Sequence, residues 1–591
     1  MQLNLSELLI IIGILIGLAL LVFLLIFLGV RFGLFNLINR IIHWARAARA
    51  GNIEQLSKDS PPIKFLEPLH REIVRIANTV KEAKASAEEE ARLRAQAEAV
   101  WTPERLKYEI QNIVEDRKII VVSNREPYMH MREGNKINCI VPASGMVTAM
   151  EPILKACSGL WIASGTGDAD KETVDENDKL NVPPDHPKYI LRRIWLSKEE
   201  EQHFYYGFSN EGLWPLCHIA HTRPIFRKED WDAYELVNQR YADAVLEEIK
   251  DEDSPFILIQ DYHFALLPEK IKKARPDARI AIFWHIPWPN PESFGICPWQ
   301  REILTGMLGA DLIGFHTQYH CNHFLETVNS TIESIVSWDS FSVQLREHTT
   351  LVKPFPISID ITTKDPDVNE KLLPSQLLQQ NGISAQYIGI GVDRIDYTKG
   401  IVEKFLSVEC FLDNNPEYIG KFTFVQIGAP SRTFIKTYSD TINAVENEAN
   451  RINSRYKIKN WKPILLLKRH HSHEEIYPYY TSANFCMVNS LHDGMNLVAK
   501  EFIAARNYDG VLILSQFAGA ANELQGALIV NPYDIEQSSE AIKQALQMPP
   551  DEQARRMKQM RQTIVANNIY AWAASLLKTM IGIPVASTGM I

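Results

Sequence analysis

From Lys118 onward the chain alternates two textures. Short apolar runs recur, each closed by a polar or glycine-bearing turn: IIVVSNR, FILIQDYH, IAIFWHIP, LIGFHT, YIGIGVDR, FTFVQIGAP, FCMVNSLHDG and VLILSQFAGA. Longer stretches of helical periodicity separate them. Runs apolar throughout, rather than alternating, are what strands look like when helices cover both faces of a parallel sheet. The pattern predicts an α/β chain with two Rossmann-like, doubly wound domains, 117–357 and 358–565, with the boundary near Pro354 to Asp360. A last helical stretch is 566–591, into which IVANNIYAWAASLLKTM runs from Ile564. No repeat with a period of 20 to 50 residues is present. In such sheets ligands bind beyond the carboxyl ends of the strands. That singles out Arg125, Asp261, His285, Arg394, Lys399, Arg432 and the segment Asp493 to Glu501.

The first hundred residues have another pattern. Leu8 to Val30 is uncharged and long enough for a hydrocarbon core that needs about 20 apolar residues, so residues 1–30 are expected to anchor the chain in a membrane. Glu7 before the run and Arg31 after it do not suit a cleaved signal peptide. Arg31, Arg40, Arg46 and Arg49 precede Glu54, the first acidic residue after the run, which places the rest of the chain in the cytoplasm by the positive-inside rule. Gly13 and Gly17 form a GxxxG pair, a device for close helix packing that is also common among membrane helices at large. Residues 31–116 read as a juxtamembrane and coiled-coil-like stalk. Phe32 to Trp44 suits an interfacial helix, Pro61 and Pro62 interrupt it, and Ile73, Ile76, Val80, Ala83 and Ala87 form a seam through which the chain would pair with itself as a homo-oligomer. This order of elements faintly resembles the HAMP linkers of signalling receptors; a stalk holding the remainder off the membrane is the plainer reading. Thr102-Pro103-Glu104 marks a helix start.

Composition narrows the chemistry. With 591 residues, 46% of them apolar and 23% charged, the chain is globular and exceeds one core. A formal charge of -10 excludes a broad nucleic-acid surface. Seven scattered cysteines without a CxxC pair fit neither a disulfide framework nor a zinc site. His470 to Glu475, HHSHEE, is explained by a capping box from Ser472 to Glu475, and Asp365 to Asp367 lies in a polar linker, so no metal and no cofactor are expected.

The segment NSLHDGMNLVAKEF, Asn489 to Phe502, joins a strand to a helix through His492-Asp493-Gly494-Met495. Gly494 is expected to make the tight turn that aims successive amides outward, and the unpaired first amides of a helix welcome a diphosphate. Glu501, more than a turn further in, is placed to accept bonds from ribose hydroxyls. Arg125 and Arg432, one from each domain, would converge on one phosphate by forked hydrogen bonds, which suggests a phosphorylated acceptor.

HDGMNLVAKEF, with GVDRIDYTKG, QDYH, FWHIPWP and GADLIGFHT in the same order, resembles the trehalose-6-phosphate synthase family of retaining GT-B glycosyltransferases over about residues 118 to 585. The resemblance implies a GT-B fold, two Rossmann-like domains facing a cleft, with the final helix, 566–591, packing back on the first of them. It implies that Arg394 and Lys399 hold the donor's phosphates, where fixed cations stabilise a departing diphosphate. It assigns Asp493, Gly494, Met495, Asn496 and Leu497 to the loop around donor sugar and phosphate, and Glu501 to the ribose. By the same likeness Gly145 belongs to the glycine loop over the donor, His285 lines the donor glucose, and Asp261 lies near the acceptor, where it would orient or partly deprotonate the attacking hydroxyl. Tyr206 and Trp214 match residues that contact acceptor phosphate and sugar.

The sequence also departs from that pattern. PASGM keeps Gly145 but has Ser144 where a second glycine is usual. IASGTGD replaces a second tryptophan after GLW. Arg125 is followed by Glu-Pro-Tyr, closer to the related glucosylglycerol-phosphate synthases. All three lie on the acceptor side. The reading is a membrane-anchored glucosyltransferase that joins glucose from UDP-glucose to glucose 6-phosphate, giving trehalose 6-phosphate and UDP. Two rivals stand beside it: glycerol 3-phosphate as acceptor, and a non-catalytic sugar-nucleotide sensor.

Overall fold

The computed structural model describes residues 31, 35–36, 38–39, 41–42, 44, 67–75, 100–114, 117–142, 145–157, 159–361, 374–379 and 381–584. The expected membrane span, Leu8 to Val30, and most of the expected seam lie outside these. Among the described residues no helix is long and apolar enough to cross a membrane. The chain divides into two compact units, Met1–Val100 and Trp101–Ile591. In the first, residues 67–75 are helical, and the rings of Trp44 and His70 meet edge-on at 4.7 Å.

The second unit holds two large sheets. Strands β1 (Ile119–Arg125), β2 (Met129–Glu133), β3 (Lys136–Ile140), β4 (Leu160–Ser164), β5 (Lys179–Val182), β6 (Tyr189–Ile194), β7 (Phe256–Gln260), β8 (Arg279–Phe283), β9 (Leu312–Phe315), β10 (Ile335–Ser337), β11 (Ser342–Leu345) and β12 (His348–Pro354) precede the linker. All but β2 and β3 join one sheet of ten, ordered β10-β11-β12-β9-β8-β7-β1-β4-β6-β5. Its centre from β12 to β6 is parallel, and antiparallel strands finish both edges. After the linker, β13 (Tyr387–Ile395), β14 (Phe422–Pro430), β15 (Ile464–Leu467), β16 (Phe485–Val488), β17 (Val511–Ser515) and β18 (Leu528–Val530) form a second sheet. Its order is β15-β14-β13-β16-β17-β18 and every pairing is parallel. That is the Rossmann order, in which the topology reverses at the first strand and leaves a crevice between β13 and β16.

The apolar runs became strands because both faces are covered: every residue of β4, β7, β16 and β17 is buried. Four helices matter for the site: α1 (Pro103–Val114), α2 (Gly145–Cys157), α3 (Leu497–Ala504) and α4 (Ile569–Ile581). Helix α1 starts where Thr102-Pro103-Glu104 predicts, with the Thr102 hydroxyl accepting from the Arg105 amide at 3.2 Å. Helix α4 packs against α1, α2 and β8 of the first lobe. The Trp572 indole donates to the Phe355 carbonyl at 3.1 Å, and the Arg279 guanidinium donates to the Ile583 carbonyl at 3.2 Å.

Candidate active site

The carboxyl ends of the two parallel sheets supply most of the residues singled out above. On the second lobe, β13 carries Arg394 one residue from its end and leads through the turn Tyr397–Lys399 to Gly400, at φ 58°. The Lys399 ammonium donates to Asp493 Oδ2 at 2.6 Å, and Asp493 also accepts from Ser490 Oγ at 3.1 Å and Asn496 Nδ2 at 3.0 Å. Burial alone would raise the Asp493 carboxyl; the charge and hydrogen bond of Lys399 outweigh it and hold the group well below the usual carboxylate range. Asp393 and Asp396, the neighbours of Arg394, are engaged elsewhere: Asp393 by the buried Lys404, and Asp396 by Arg432 at 3.5 Å.

The turn after β16 is built differently from the expectation. The residue in the left-handed region is Asn496, at φ 76°, while Gly494 does not have a positive φ. Gly494 is required by close approach: a Cβ there would lie 2.2 Å from the His285 carbonyl of the first lobe. Gly519 fills the same role behind it, since its Cβ would meet the Gly494 carbonyl at 2.0 Å. Two glycines thus let three backbones stack where the lobes touch. The Asn496 side chain caps α3 by accepting from the Ala499 amide at 3.4 Å, and Met495, buried, accepts through its carbonyl from the Ala520 amide at 2.9 Å. Leu497 opens α3. Glu501, one turn on, accepts from the Tyr480 hydroxyl at 3.2 Å, and burial raises its carboxyl.

On the first lobe Asp261 follows β7 at φ 74°, a backbone that L residues rarely adopt. The conformation lets Oδ1 accept from the amides of Tyr262 at 3.0 Å and His285 at 3.2 Å, stapling the ends of β7 and β8 together. Burial nonetheless pushes this carboxyl up to about 7. His285 shares a hydrogen bond through Nε2 with Gln260 Oε1 at 2.9 Å, and burial lowers it to about 3. A histidine kept neutral in this way is suited to holding a ligand hydroxyl and unsuited to carrying charge.

Arg432 gathers the residues expected on the acceptor side. Its guanidinium donates to Tyr438 Oη at 2.6 Å and Tyr262 Oη at 3.3 Å, lies 3.5 Å from Asp396, and sits over the Trp214 ring at 4.2 Å. Arg394 approaches the same ring at 5.4 Å. Trp214 is therefore the first-lobe surface on which two cations of the second lobe rest. Arg125 and Arg432, expected to grip one phosphate together, differ in their freedom. The two terminal nitrogens of Arg432 already have protein partners, whereas Arg125 is exposed.

The sequence reading missed Tyr205. Residues Gln202–Leu213 form a π-type helix, wider than an α-helix, so successive side chains point in directions an α-period does not give. Tyr206, the expected acceptor contact, turns its ring edge-on to Phe434 of the second lobe at 5.7 Å. Tyr205 instead faces the cations. Burial would raise its phenol, but Arg432, by charge and hydrogen bond, followed by Arg394 and Arg125, brings it below the usual value. A tyrosine polarised by three arginines is a strong donor to a phosphate. Its only sequence signal was the doubled tyrosine in YYGFSNEGLWP. Gly145 opens α2.

Among the described residues no group of three or more histidine, cysteine, aspartate or glutamate side chains is arranged to hold a metal ion. In HHSHEE the Ser472 and Glu475 capping box is present.

Two Rossmann-type lobes with cations at the crevice of one and an enclosed carboxyl at the strand ends of the other define a glycosyltransferase of the GT-B kind. The chain belongs to glycosyltransferase family 20, which its residues 117–581 match. It is 33% identical over 471 residues to the UDP-forming alpha,alpha-trehalose-phosphate synthase of Candida albicans, covering 78% of this chain and 97% of that one. A bifunctional trehalose-6-phosphate synthase/phosphatase of Thermoproteus tenax is 34% identical over 481 residues, 78% of this chain, and this chain spans 63% of its length. Among solved structures, one of trehalose-6-phosphate from E. coli bound with UDP-2-fluoro glucose superposes with a TM-score of 0.70 at 31% identity, covering 79% of this chain and 99% of that one. A UDP-forming synthase from Burkholderia xenovorans in complex with glucose-6-phosphate gives a TM-score of 0.67 at 27% identity, covering 79% of this chain and 100% of that one.

Proposed function

We propose that the protein transfers glucose from UDP-glucose to glucose 6-phosphate with retention, releasing trehalose 6-phosphate and UDP. The observation that carries this is the assembly, across two lobes, of Arg394, Lys399 and Asp493 with Trp214, Arg432 and Asp261. In this reading the donor diphosphate lies against Arg394, Lys399 and the first amides of α3, the loop Asp493, Gly494, Met495, Asn496 and Leu497 encloses it, Gly145 closes over it, and Glu501 receives the ribose. Lys399 exchanges its bond to Asp493 for one to phosphate. His285 positions the glucose. Arg125, Tyr205, Arg432 and Trp214 hold the acceptor. Asp261 orients the attacking hydroxyl; its oxygen bonds to the anomeric carbon as the bond to the diphosphate breaks on the same face, and the leaving phosphate oxygen takes the proton. Cations fixed where that charge develops lower the barrier directly.

The decisive experiment replaces Arg394 and Lys399 together with alanine and follows UDP release with glucose 6-phosphate as acceptor. A loss of roughly a thousandfold or more in kcat/KM is expected; undiminished transfer overturns the reading. Glycerol 3-phosphate run in parallel separates the rival acceptor, and donor binding without turnover on either marks a sensor.

Leu8 to Val30 is proposed as a single-pass anchor in the cytoplasmic membrane, with the catalytic part in the cytoplasm; its uncharged length and the four arginines that follow support this. Self-pairing through the seam after Leu69 is part of the same proposal. Recovery of the full chain in the soluble fraction, without detergent, would refute the anchor.

A further inference from the structure

Two of the segments that depart from the family pattern, Arg125-Glu126-Pro127-Tyr128 and Ile162 to Asp168, are bonded to each other. Glu126 is fully buried directly after Arg125. Its Oε1 accepts from the Thr166 amide at 2.8 Å and the Thr166 hydroxyl at 3.0 Å, and its Oε2 from Arg193 Nε at 2.9 Å. The same guanidinium, on β6 and also buried, reaches Asp170 Oδ1 at 2.8 Å and donates to the carbonyls of Asp170 at 2.9 Å and Tyr128 at 3.0 Å. Asp170 in turn accepts from the amides of His130 at 2.7 Å and Gly167 at 2.6 Å. A Cβ on Gly167 would lie 2.3 Å from the His130 carbonyl, so the turn needs glycine to let β2 pass.

The network converges on Arg125. The pairing of β1 with β4 is regular up to Val122 and then shifts, so that Arg125 lies opposite Ser164. The Arg125 carbonyl accepts from the Ser123 hydroxyl at 2.8 Å, and Ser123 accepts from the Trp161 indole at 2.7 Å. Backbone and following side chain are thereby held while the guanidinium stays exposed beside Tyr205 and Tyr206. Stability does not explain such an arrangement, because apolar residues of similar volume generally serve a core as well as a buried ion cluster does. Orientation does. Burial, and a hydrogen bond with Asp170, also push the Glu126 carboxyl up to about 7.

We infer that Glu126 is a positioning residue for the acceptor: through Arg193, Thr166 and Asp170 it fixes the backbone of Arg125 so that this arginine meets the acceptor's phosphate, and it makes the two departing segments one specificity-setting unit. The inference rests on the acceptor-phosphate role proposed for Arg125.

The test compares the full chain with its Glu126→Gln variant on glucose 6-phosphate and on unphosphorylated glucose, with UDP-glucose affinity and melting temperature measured alongside. The expected result is a roughly tenfold fall in kcat/KM for glucose 6-phosphate, carried by KM, with donor affinity and turnover of glucose unchanged. Thr166→Ala, which removes only the hydroxyl bond, should shift the same ratio less in the same direction; it decides the matter if Glu126→Gln does not fold. A lowered melting temperature with phosphate selectivity intact in both variants would make the network merely structural and overturn the inference. A wild type that prefers glycerol 3-phosphate instead would overturn the choice of acceptor, and Glu126 would then be judged by the same ratio, glycerol 3-phosphate against glycerol.

Discussion

A carboxyl held at about 7, in a backbone conformation that few side chains tolerate, makes Asp261 a residue with separable costs and uses. Its folded value lies above the ordinary 3.8, so the native state keeps a proton that the unfolded chain gives up. The stability tied to that proton is fully present below the ordinary value and is lost as pH rises through about 7. Asparagine cannot ionise. Asp261→Asn is therefore expected to resist urea better than the wild type at about pH 8 and equally well at about pH 4, measured as the midpoint of unfolding. Activity should move the other way: kcat/KM of the wild type rises with pH through about 7, and the variant loses roughly a hundredfold or more together with that inflection.

At the scale of elements, the turn between β16 and α3 gives the sharpest expectation. Gly494→Ala places a methyl group against the His285 carbonyl, and the strand end on one lobe or the helix start on the other has to move. Overpacking of this kind costs about 1–3 kcal/mol, and here it falls on donor geometry. Donor KM should rise roughly tenfold or more, read from initial rates at saturating acceptor, with helix content unchanged by circular dichroism. This turn also shows what the sequence can and cannot carry. Strands β1, β7, β8 and β9 of one sheet and β13, β14, β16 and β17 of the other were legible because apolar runs closed by a polar turn have no polar phase to confuse them, whereas the edge strands and β4 were not read. The Ser472 to Glu475 capping box and the helix start at Thr102 were legible because they are local. The reason for Gly494 was not: its neighbour is a carbonyl 209 positions earlier in the chain, and no local pattern distinguishes a glycine needed for φ from one needed for room. Tyr205 was hidden by helix type, which the apolar spacing of Gln202–Leu213 does not announce. The hairpin of β2 and β3, whose second strand is exposed along its whole length, left no apolar run to read.

For the molecule as a whole, two of the ties between the lobes have different consequences. Helix α4 returns to the first lobe, where Trp572 is buried, its indole donating to the Phe355 carbonyl and its ring edge-on to Phe283 at 5.1 Å. Trp572→Ala should cost about 3–5 kcal/mol in denaturant unfolding. The contact of Phe434 with Tyr206 across the lobes is slight by comparison, since Phe434 is 82% exposed. Phe434→Ala is expected to leave stability within about 0.5 kcal/mol, while acceptor KM rises several-fold and donor KM does not change, as initial-rate kinetics would show. Because Trp101–Ile591 is one compact unit, that portion expressed alone should fold and retain kcat, checked by UDP release.

The ion cluster around Arg193 also constrains how this protein can change over generations. Glu126 and Asp170 lean on one guanidinium, so replacing Arg193 strands both carboxyls in the interior, a step that typically costs about 3–5 kcal/mol, whereas losing either carboxyl leaves the other paired. Arg193 is therefore the member that has to stay for either carboxyl to remain buried, and an exchange at Glu126 or Asp170 is the gentler step.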